Sequence, residues 1–169
     1  MLRPSRAPVS PPSNKEDPSM SPAETVTTLL DALEAGALEE AASYLADGFI
    51  FSGPTPRPLN GEQFLGFVAS LLRAFPDLAF NPTDLREQGS TVLLTLHLTG
   101  TQSGDLELPA VPGMPTVPGS GKRVSLPAEP ARCGVIDGKL SHFSVQPVQG
   151  GGVLGLLHQL GVRLPVRTV

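Results

Sequence analysis

Hydrophobic positions in the first half of the chain recur every three to four residues, which is the spacing of amphipathic helices. A first helix is predicted to begin at Pro22, with Ser21 and Glu24 as a capping box and proline at the first helical position. A second, shorter helix follows, and Gly48 would end it as a C-cap glycine. Asn60 would cap a third helix in a second capping box with Gln63, and Pro76 would end this helix. The apolar face of this third helix consists of Phe64, Phe67, Val68, Leu71, Leu72 and Phe75.

The second half of the chain has the alternating, β-branched composition of strands. A first short strand is predicted earlier, at Phe49-Ile50-Phe51. The later strands are predicted at residues 78–85, 91–101, 123–135 and 140–148, with a hairpin turn at Asp137-Gly138. A short apolar helix over residues 153–160 closes the fold. Helices followed by hairpin-connected strands predict an α+β fold, in which helices cover one face of a curved antiparallel sheet.

Proline and glycine mark the predicted boundaries of the folded domain. Residues 1–20 contain five prolines and few apolar side chains, which predicts a disordered tail, or alternatively a proline-rich ligand for a partner domain. We expect a single domain over residues 21–164 and a short C-terminal tail at 165–169. Residues 103–121 are rich in proline and glycine and predict a long loop.

Composition and charge narrow the classes of function. The chain has 169 residues, of which 40% are hydrophobic, so it can build a core. Its net charge of -4 provides no basic surplus for nucleic acid, and no apolar run has the length of a membrane span. The single cysteine, Cys133, closes no intrachain disulfide and is interpreted as a small buried hydrophobe. We therefore expect a soluble, cytoplasmic protein.

Two glycine-rich segments resemble nucleotide-binding motifs but lack their context. Gly150, Gly152 and Gly155 have the dinucleotide-binding spacing, yet too few residues follow them for a βαβ unit. The segment Gly119-Ser120-Gly121-Lys122 resembles a phosphate loop, but Arg123 follows it and no helix is predicted there. The histidines are not spaced as metal ligands. The sequence therefore predicts no cofactor and no metal.

Three polar residues in predicted strands are candidates for acid–base chemistry. His97 and His142 would either line a pocket or lie on the outer face of the sheet. Glu129 would have a raised pKa and act as a base if it lay in an apolar pocket; the alternative is an ordinary rim carboxylate. The adjacent Pro130 leaves open whether a bulge changes which way Glu129 and its neighbours face.

An ordered set of short motifs resembles the SnoaL-like polyketide cyclase (ester cyclase) family. The motifs extend over residues 22–164. They are Ala74-Phe75-Pro76-Asp77-Leu78, Leu98-Thr99-Gly100-Thr101 followed by Gly104, Gly121-Lys122-Arg123-Val124, Asp137-Gly138-Lys139-Leu140 and the ending Gly155-Leu156-Leu157-His158-Gln159-Leu160-Gly161.

This resemblance implies the cone-shaped fold shared with nuclear-transport-factor-like proteins and ketosteroid isomerase. In that fold a curved sheet wraps around helices and leaves an apolar pocket. The family's cyclases close rings by an aldol step, in which an acidic residue removes a proton beside a carbonyl, without metal or organic cofactor. The sequence departs from the family pattern at the positions best placed for proton transfer: Gln102 stands where a histidine is common, and Ala131 stands where an acid is usual. The chain also lacks the tryptophan common after the turn, and Pro127 and Pro130 lie in a strand that is usually regular.

We therefore expect Glu129, His97 and His142 to replace the missing acid at a pocket for a small hydrophobic molecule. The aromatic and aliphatic pocket lining is predicted to be Phe49, Phe51, Phe64, Phe67 and Leu71. The resemblance also implies a homodimer formed through the outer face of the sheet. Two alternatives remain open: a catalytically silent ligand-binding or dimerisation protein, and a protein-interaction module that uses the outer sheet face and the proline-rich tail. Neither nucleic acid nor membrane is an expected partner.

Overall fold

The computed structural model describes residues 20–53, 55, 57–108 and 116–162. The predicted tails, residues 1–20 except Met20 and residues 165–169, lie outside the described residues. The helices are α1 (Pro22–Glu34), α2 (Leu38–Ala42), α3 (Gly61–Ala74) and α4 (Gly152–Gln159). The strands are β1 (Leu45–Ser52), β2 (Leu59–Asn60), β3 (Thr83–Gln88), β4 (Thr91–Leu96), β5 (Thr99–Thr101), β6 (Arg123–Ser125), β7 (Glu129–Ile136) and β8 (Lys139–Val145).

Six of these strands form one sheet in the order β2-β1-β8-β7-β4-β3, and β5 pairs with β6 in a separate two-stranded sheet. The predicted α+β class is confirmed. All neighbouring strands are antiparallel except β1 and β8, which run parallel with Phe51 opposite Phe143. The register between β4 and β7 is unbroken from Thr91 to Leu96, so Pro130 introduces no bulge there.

Both predicted capping boxes are present, and they fix where α1 and α3 begin. Ser21 Oγ accepts a hydrogen bond from the Glu24 N–H at 3.1 Å, and Glu24 Oε1 accepts one from the Ser21 N–H at 2.9 Å. Asn60 and Gln63 form the same reciprocal pair at 2.8 and 3.0 Å. Each pair satisfies two backbone donors that the first turn of a helix leaves free.

Several predicted boundaries were wrong, for local reasons. Gly48 lies inside β1 because α2 already ends at Ala42. The strand predicted from residue 78 begins only at Thr83, since Pro82 has no N–H and Asn81 has φ 48°. The predicted strands 91–101 and 123–135 are each divided in two, at residues 97–98 and 126–128. At the first of these breaks, the N–H of His97 donates to the carbonyl of Phe80 rather than to a strand of the large sheet.

The phenylalanine side chains of α3 pack against the inner face of the sheet. The ring of Phe64 lies 4.7 Å from that of Phe51 and 5.3 Å from that of Phe49. Phe51 also meets Phe143 of β8 edge to face at 5.5 Å. Edge-to-face and tilted aromatic pairs of this kind add to the free energy of apolar burial. Together they join β1, β8 and α3 into the part of the core that borders the site described below.

The motif residues of the segment 74–104 hold the β5–β6 pair against the end of α3. Asp77 Oδ1 accepts a hydrogen bond from the Thr101 N–H at 2.7 Å, and this bond lowers the pKa of Asp77. A β-carbon on Gly100 would lie 3.1 Å from the β-carbon of Phe75. A β-carbon on Gly104 would overlap the Arg73 carbonyl oxygen. These contacts give the motif residues a structural role in the fold.

Candidate functional site

A partly open cavity lies between α3, the inner face of the large sheet and α4. Five phenylalanines line it: Phe51, Phe64, Phe67, Phe80 and Phe143. The other lining residues are leucines and valines, together with one glycine and one glutamate. Such a lining removes an apolar ligand from water and offers it very few polar contacts.

The cavity volume is about 70 Å³. A water molecule needs only about 10–15 Å³, whereas drug-sized ligands occupy pockets of roughly 300–1,000 Å³. The cavity as it stands therefore suits a molecule of few heavy atoms. A larger ligand requires the side chains or α4 to move outward.

Glu129 is the one charged side chain that lines the cavity among the described residues. It begins β7, pairs with Leu96 of β4, and is only 5% exposed. Its Oε2 accepts a hydrogen bond from the N–H of Gly152, the first residue of α4, at 2.8 Å. Burial raises the pKa of Glu129 above the ordinary value of 4.5, and the Gly152 hydrogen bond partly offsets this by stabilising the carboxylate. Glu129 is therefore a stronger base than an exposed glutamate.

Strand alternation explains why Glu129 faces inward. In β7 the side chains of Glu129, Ala131 and Cys133 are buried, while Pro130 and Arg132 are exposed. Glu129 and Ala131 therefore lie on the same face of β7, two residues or about 7 Å apart. Ala131 is the position where the family resemblance places an acid. Ala131 itself does not line the cavity.

The two histidines do not lie in the cavity, which corrects the expected convergence of three polar side chains. His142 lies between Ser141 and Phe143 in β8 and is half-buried, whereas its buried neighbour Phe143 lines the cavity. His142 therefore faces outward, where its ring lies so close to Gly134 that a β-carbon there would overlap it. His97 follows the last residue of β4 and is also absent from the cavity lining. Of the three candidates, only Glu129 reaches the cavity.

Most of the predicted aromatic lining is in place. Phe51, Phe64, Phe67 and Leu71 line the cavity, but Phe49 lies behind the ring of Phe64 and is core. The sequence reasoning missed Phe80, Phe143 and the wall formed by α4. Only Phe143 could have been found from the sequence: it is adjacent to His142 in a strand, so one of the two residues had to face the inside of the sheet. The contribution of α4 depends on tertiary packing that no local pattern shows.

Gln102, which stands where the family resemblance places a histidine, has a structural role. It is fully buried and does not line the cavity. Its Nε2 donates to the Val117 carbonyl at 3.0 Å, and its Oε1 accepts from Ser120 Oγ at 2.7 Å. These bonds attach the segment after residue 115 to the end of β5. Residues 109–115 of the predicted loop lie outside the described residues.

Replacing Gln102 with leucine should lower the free energy of unfolding by about 1–3 kcal/mol, because a buried carbonyl loses its donor. The loss is measurable by urea denaturation. Gln88→Leu is the control, since Gln88 is exposed at the end of β3. Equal stabilities of the two variants would contradict the structural role of Gln102.

Cys133 is fully buried in β7, and burial raises the pKa of its thiol to about 12. The thiol is therefore protonated at neutral pH and is a poor nucleophile. Its interpretation as a small buried hydrophobe agrees with this position.

The glycines that resembled a dinucleotide motif have steric explanations at the start of α4. Gly152 has φ 68°, which favours glycine, and a β-carbon on Gly155 would overlap the Gly150 carbonyl oxygen.

In the part of the chain that the structure describes, no three His, Cys, Asp or Glu side chains form a group that could hold a metal ion. No helix of the described ranges is long and apolar enough to cross a bilayer.

Comparison with known proteins agrees with this fold. A family model described as SnoaL-like polyketide cyclase matches residues 23–140. No curated protein matches the chain significantly.

Among solved structures, a protein of Jannaschia sp. CCS1 assigned as a SnoaL-like polyketide cyclase aligns with a TM-score of 0.65 and 21% identity, covering 88% of this chain and 96% of that one. IdmH of Streptomyces antibioticus, assigned as a polyketide cyclase, aligns with a TM-score of 0.64 and 22% identity, covering 85% and 100%. AclR of Streptomyces galilaeus, assigned as a hydroxylase, aligns with a TM-score of 0.63 and 18% identity, covering 83% and 95%. At such identities the likeness shows a shared fold, and the differing assignments show that this fold does not determine one reaction.

Proposed function

The chain belongs to the SnoaL-like polyketide cyclase family, and from that premise we propose that its cavity binds a small hydrophobic carbonyl compound and that Glu129 exchanges a proton with it. The observation that carries the proposal is the buried carboxyl of Glu129 in an otherwise apolar cavity. A carboxyl in such surroundings is a frequent acid–base catalyst because desolvation brings its pKa closer to neutral pH.

The proposed reaction uses Glu129 in both of its protonation states. The carboxylate takes a proton from the carbon beside the carbonyl, the C–H electron pair moves into the enolate, and the carbonyl oxygen gains the charge. The protonated Glu129 then returns its proton to the product. The leucines and phenylalanines around it exclude water, which keeps the carboxylate desolvated and therefore basic. In a cyclase the enolate carbon would attack a second carbonyl of the same molecule before the proton returns.

The second candidate function is ligand binding without turnover, and the composition of the cavity favours it. Apart from Glu129 and the Gly152 backbone, the lining residues that the structure describes carry only apolar side chains. None of those side chains can donate a hydrogen bond to an enolate oxygen, and such donors contribute strongly to catalysis in many enzymes. A ligand could still be held by apolar contacts and a single hydrogen bond to Glu129.

Exchange of α-protons for deuterium distinguishes the two candidates. Cyclopentanone is small enough to probe the cavity, and its loss of α-protons in D₂O can be followed by ¹H NMR. Catalytic proton transfer predicts exchange above the buffer rate with the wild-type protein and not with Glu129→Gln. Binding without exchange would support the silent function and reject the catalytic one.

We also propose that two copies of the chain pair through the outer face of the large sheet. Leu93, Arg132 and Ser144 lie side by side on this face, where they border a groove of about 580 Å³. Leu93 and Ser144 are half-buried and Arg132 is exposed, so the face can accept a second copy. Sedimentation equilibrium should give about twice 17.6 kDa, and Leu93→Glu should reduce it to the monomer mass. A wild-type protein that stays at the monomer mass at all concentrations would contradict the pairing.

A further inference from the structure

The first residues of α4 enclose the Glu129 carboxyl group. Gly152 donates its N–H to Oε2 at 2.8 Å, and Gly151, the residue before the helix, lies against the same carboxyl. A β-carbon on Gly151 would overlap Oε2 and lie 3.0 Å from Cδ of Glu129. The carboxyl therefore occupies the space that a side chain at position 151 would need.

The backbone of Gly151 does not itself require glycine. Its φ of -106° and ψ of -173° are extended values that any residue adopts. Gly152, in contrast, has φ 68°. Glycine is required at position 151 because a side chain there would collide with the Glu129 carboxyl. A β-carbon would also approach a Val148 methyl group to 2.9 Å.

We propose that Gly151 and Gly152 are positioning residues for Glu129, which hold Oε2 against the start of α4 and leave Oε1 as the atom that meets a ligand. This inference rests on the proposed use of Glu129 as the polar group of the cavity. Among the described residues, Oε1 has no hydrogen-bond partner, although the side chain is 95% buried. A ligand can therefore form a hydrogen bond with Oε1 without breaking a hydrogen bond within the described protein.

The far end of α4 is also attached, so the helix is a fixed wall of the cavity as well as a support for Glu129. Gln159 accepts from the Ser125 N–H and donates to the Ser125 carbonyl, both at 2.9 Å. Between the two attachments, Val153 and Leu156 face the cavity. Displacing α4 would therefore open the cavity and release Oε2 together.

The test is the substitution Gly151→Ala, read out through the ionisation of Glu129. The new methyl group should push the carboxyl away from Gly152 and break the hydrogen bond that stabilises its charged form. The pKa of Glu129, followed by the ¹³C shift of its carboxyl carbon, should then move further upward. No other titratable side chain among the described residues lines the cavity, so the shift reports this contact. An unchanged titration of Glu129 in Gly151→Ala would overturn the proposal.

A double substitution separates positioning from general damage to the helix. Gly151→Ala should lower stability in the wild-type background and should cost much less beside Glu129→Ala, where the carboxyl is absent. A smaller cost should remain in both backgrounds, because the Val148 methyl group would still lie 2.9 Å from the new β-carbon and alanine is a poorer residue than glycine at the start of a helix. Gly48→Ala is the matched control, since nothing lies within 4 Å of its β-carbon position. An equal cost of Gly151→Ala in both backgrounds would show that the clash is not with Glu129.

The NMR readout does not depend on catalysis. If the wild-type protein exchanges no ketone protons but Gly151→Ala shifts the Glu129 titration, proton transfer is rejected and the positioning role is retained. If exchange occurs and the titration does not move, the positioning role is rejected and the proposed function is retained.

Discussion

Replacing Glu129 with glutamine is expected to abolish ketone proton exchange and, at the same time, to make the protein more stable at neutral pH. Glutamine keeps an oxygen that can accept from the Gly152 N–H, but it cannot carry a proton to or from a substrate. It also removes the cost of burying a charge in a cavity lined by phenylalanine and leucine. Opposite effects on activity and stability are typical of residues whose buried charge serves function.

The stability difference between the two proteins should depend on pH in a defined direction. The pKa of Glu129 in the folded protein is raised above 4.5, so the folded state holds its proton at pH values where the unfolded state has lost it. The wild-type protein therefore loses stability as pH rises from about 4.5 through the folded pKa, and the glutamine variant does not lose this contribution. Urea denaturation across this range measures the difference. Glu39→Gln, an exposed change in α2, is the matched control for replacing one glutamate. A stability difference between Glu129→Gln and the wild-type protein that stays constant across this pH range would contradict the expected loss.

Replacing Phe64 with alanine should cost about 3–5 kcal/mol of unfolding free energy, the usual range for a buried phenylalanine. The ring is 3% exposed, contacts the rings of Phe51 and Phe143, and lines the cavity. Its removal should therefore both destabilise the core and enlarge the cavity. Urea denaturation gives the loss of stability.

Rescue by an apolar ligand tests whether the enlarged space is part of the cavity. Benzene that fills the new space should restore part of the lost stability in proportion to its binding. Phe75→Ala is the matched control, since Phe75 is 1% exposed but does not line the cavity. Both variants should be destabilised, and benzene can fill either new space because both are apolar and phenyl-sized. Only in Phe64→Ala should benzene also shift the methyl resonances of Val153 and Leu156, which line the cavity. Methyl shifts of equal size in the two variants, or none in Phe64→Ala, would contradict the assignment of Phe64 to the cavity wall.

The elements that local patterns determine could be predicted from the sequence. Both long helices begin at the predicted capping boxes, because the cap residues and their partners are three positions apart in the chain. Strand breaks at residues 97–98 and 126–128 were missed, since they depend on which distant segment accepts each backbone hydrogen bond. The parallel pairing of β1 with β8 likewise depends on the packing of the whole sheet.

The candidate site could be predicted only in part. The phenylalanines of α3 were identified because a helix buries one face, and that face is visible as a periodic stripe. The histidines were misplaced because alternation indicates which residues share a face but not which face is inward. His142 and Phe143 are adjacent in one strand, and only the packing of Phe143 on Phe51 and Phe64 decides between them. The contact of Glu129 with Gly151 and Gly152 joins residues more than twenty positions apart and could not be read from either segment.

Binding of a small hydrophobic carbonyl compound in the cavity against Glu129 can be measured by titrating the ¹³C-labelled protein with cyclopentanone. NMR then follows the Glu129 carboxyl and the leucine and valine methyl groups. Binding in the cavity should shift the resonances of Glu129, Val153 and Leu156 and leave those of Leu93, on the outer face of the sheet, unchanged. Shifts at Leu93 with Glu129, Val153 and Leu156 unchanged would contradict it.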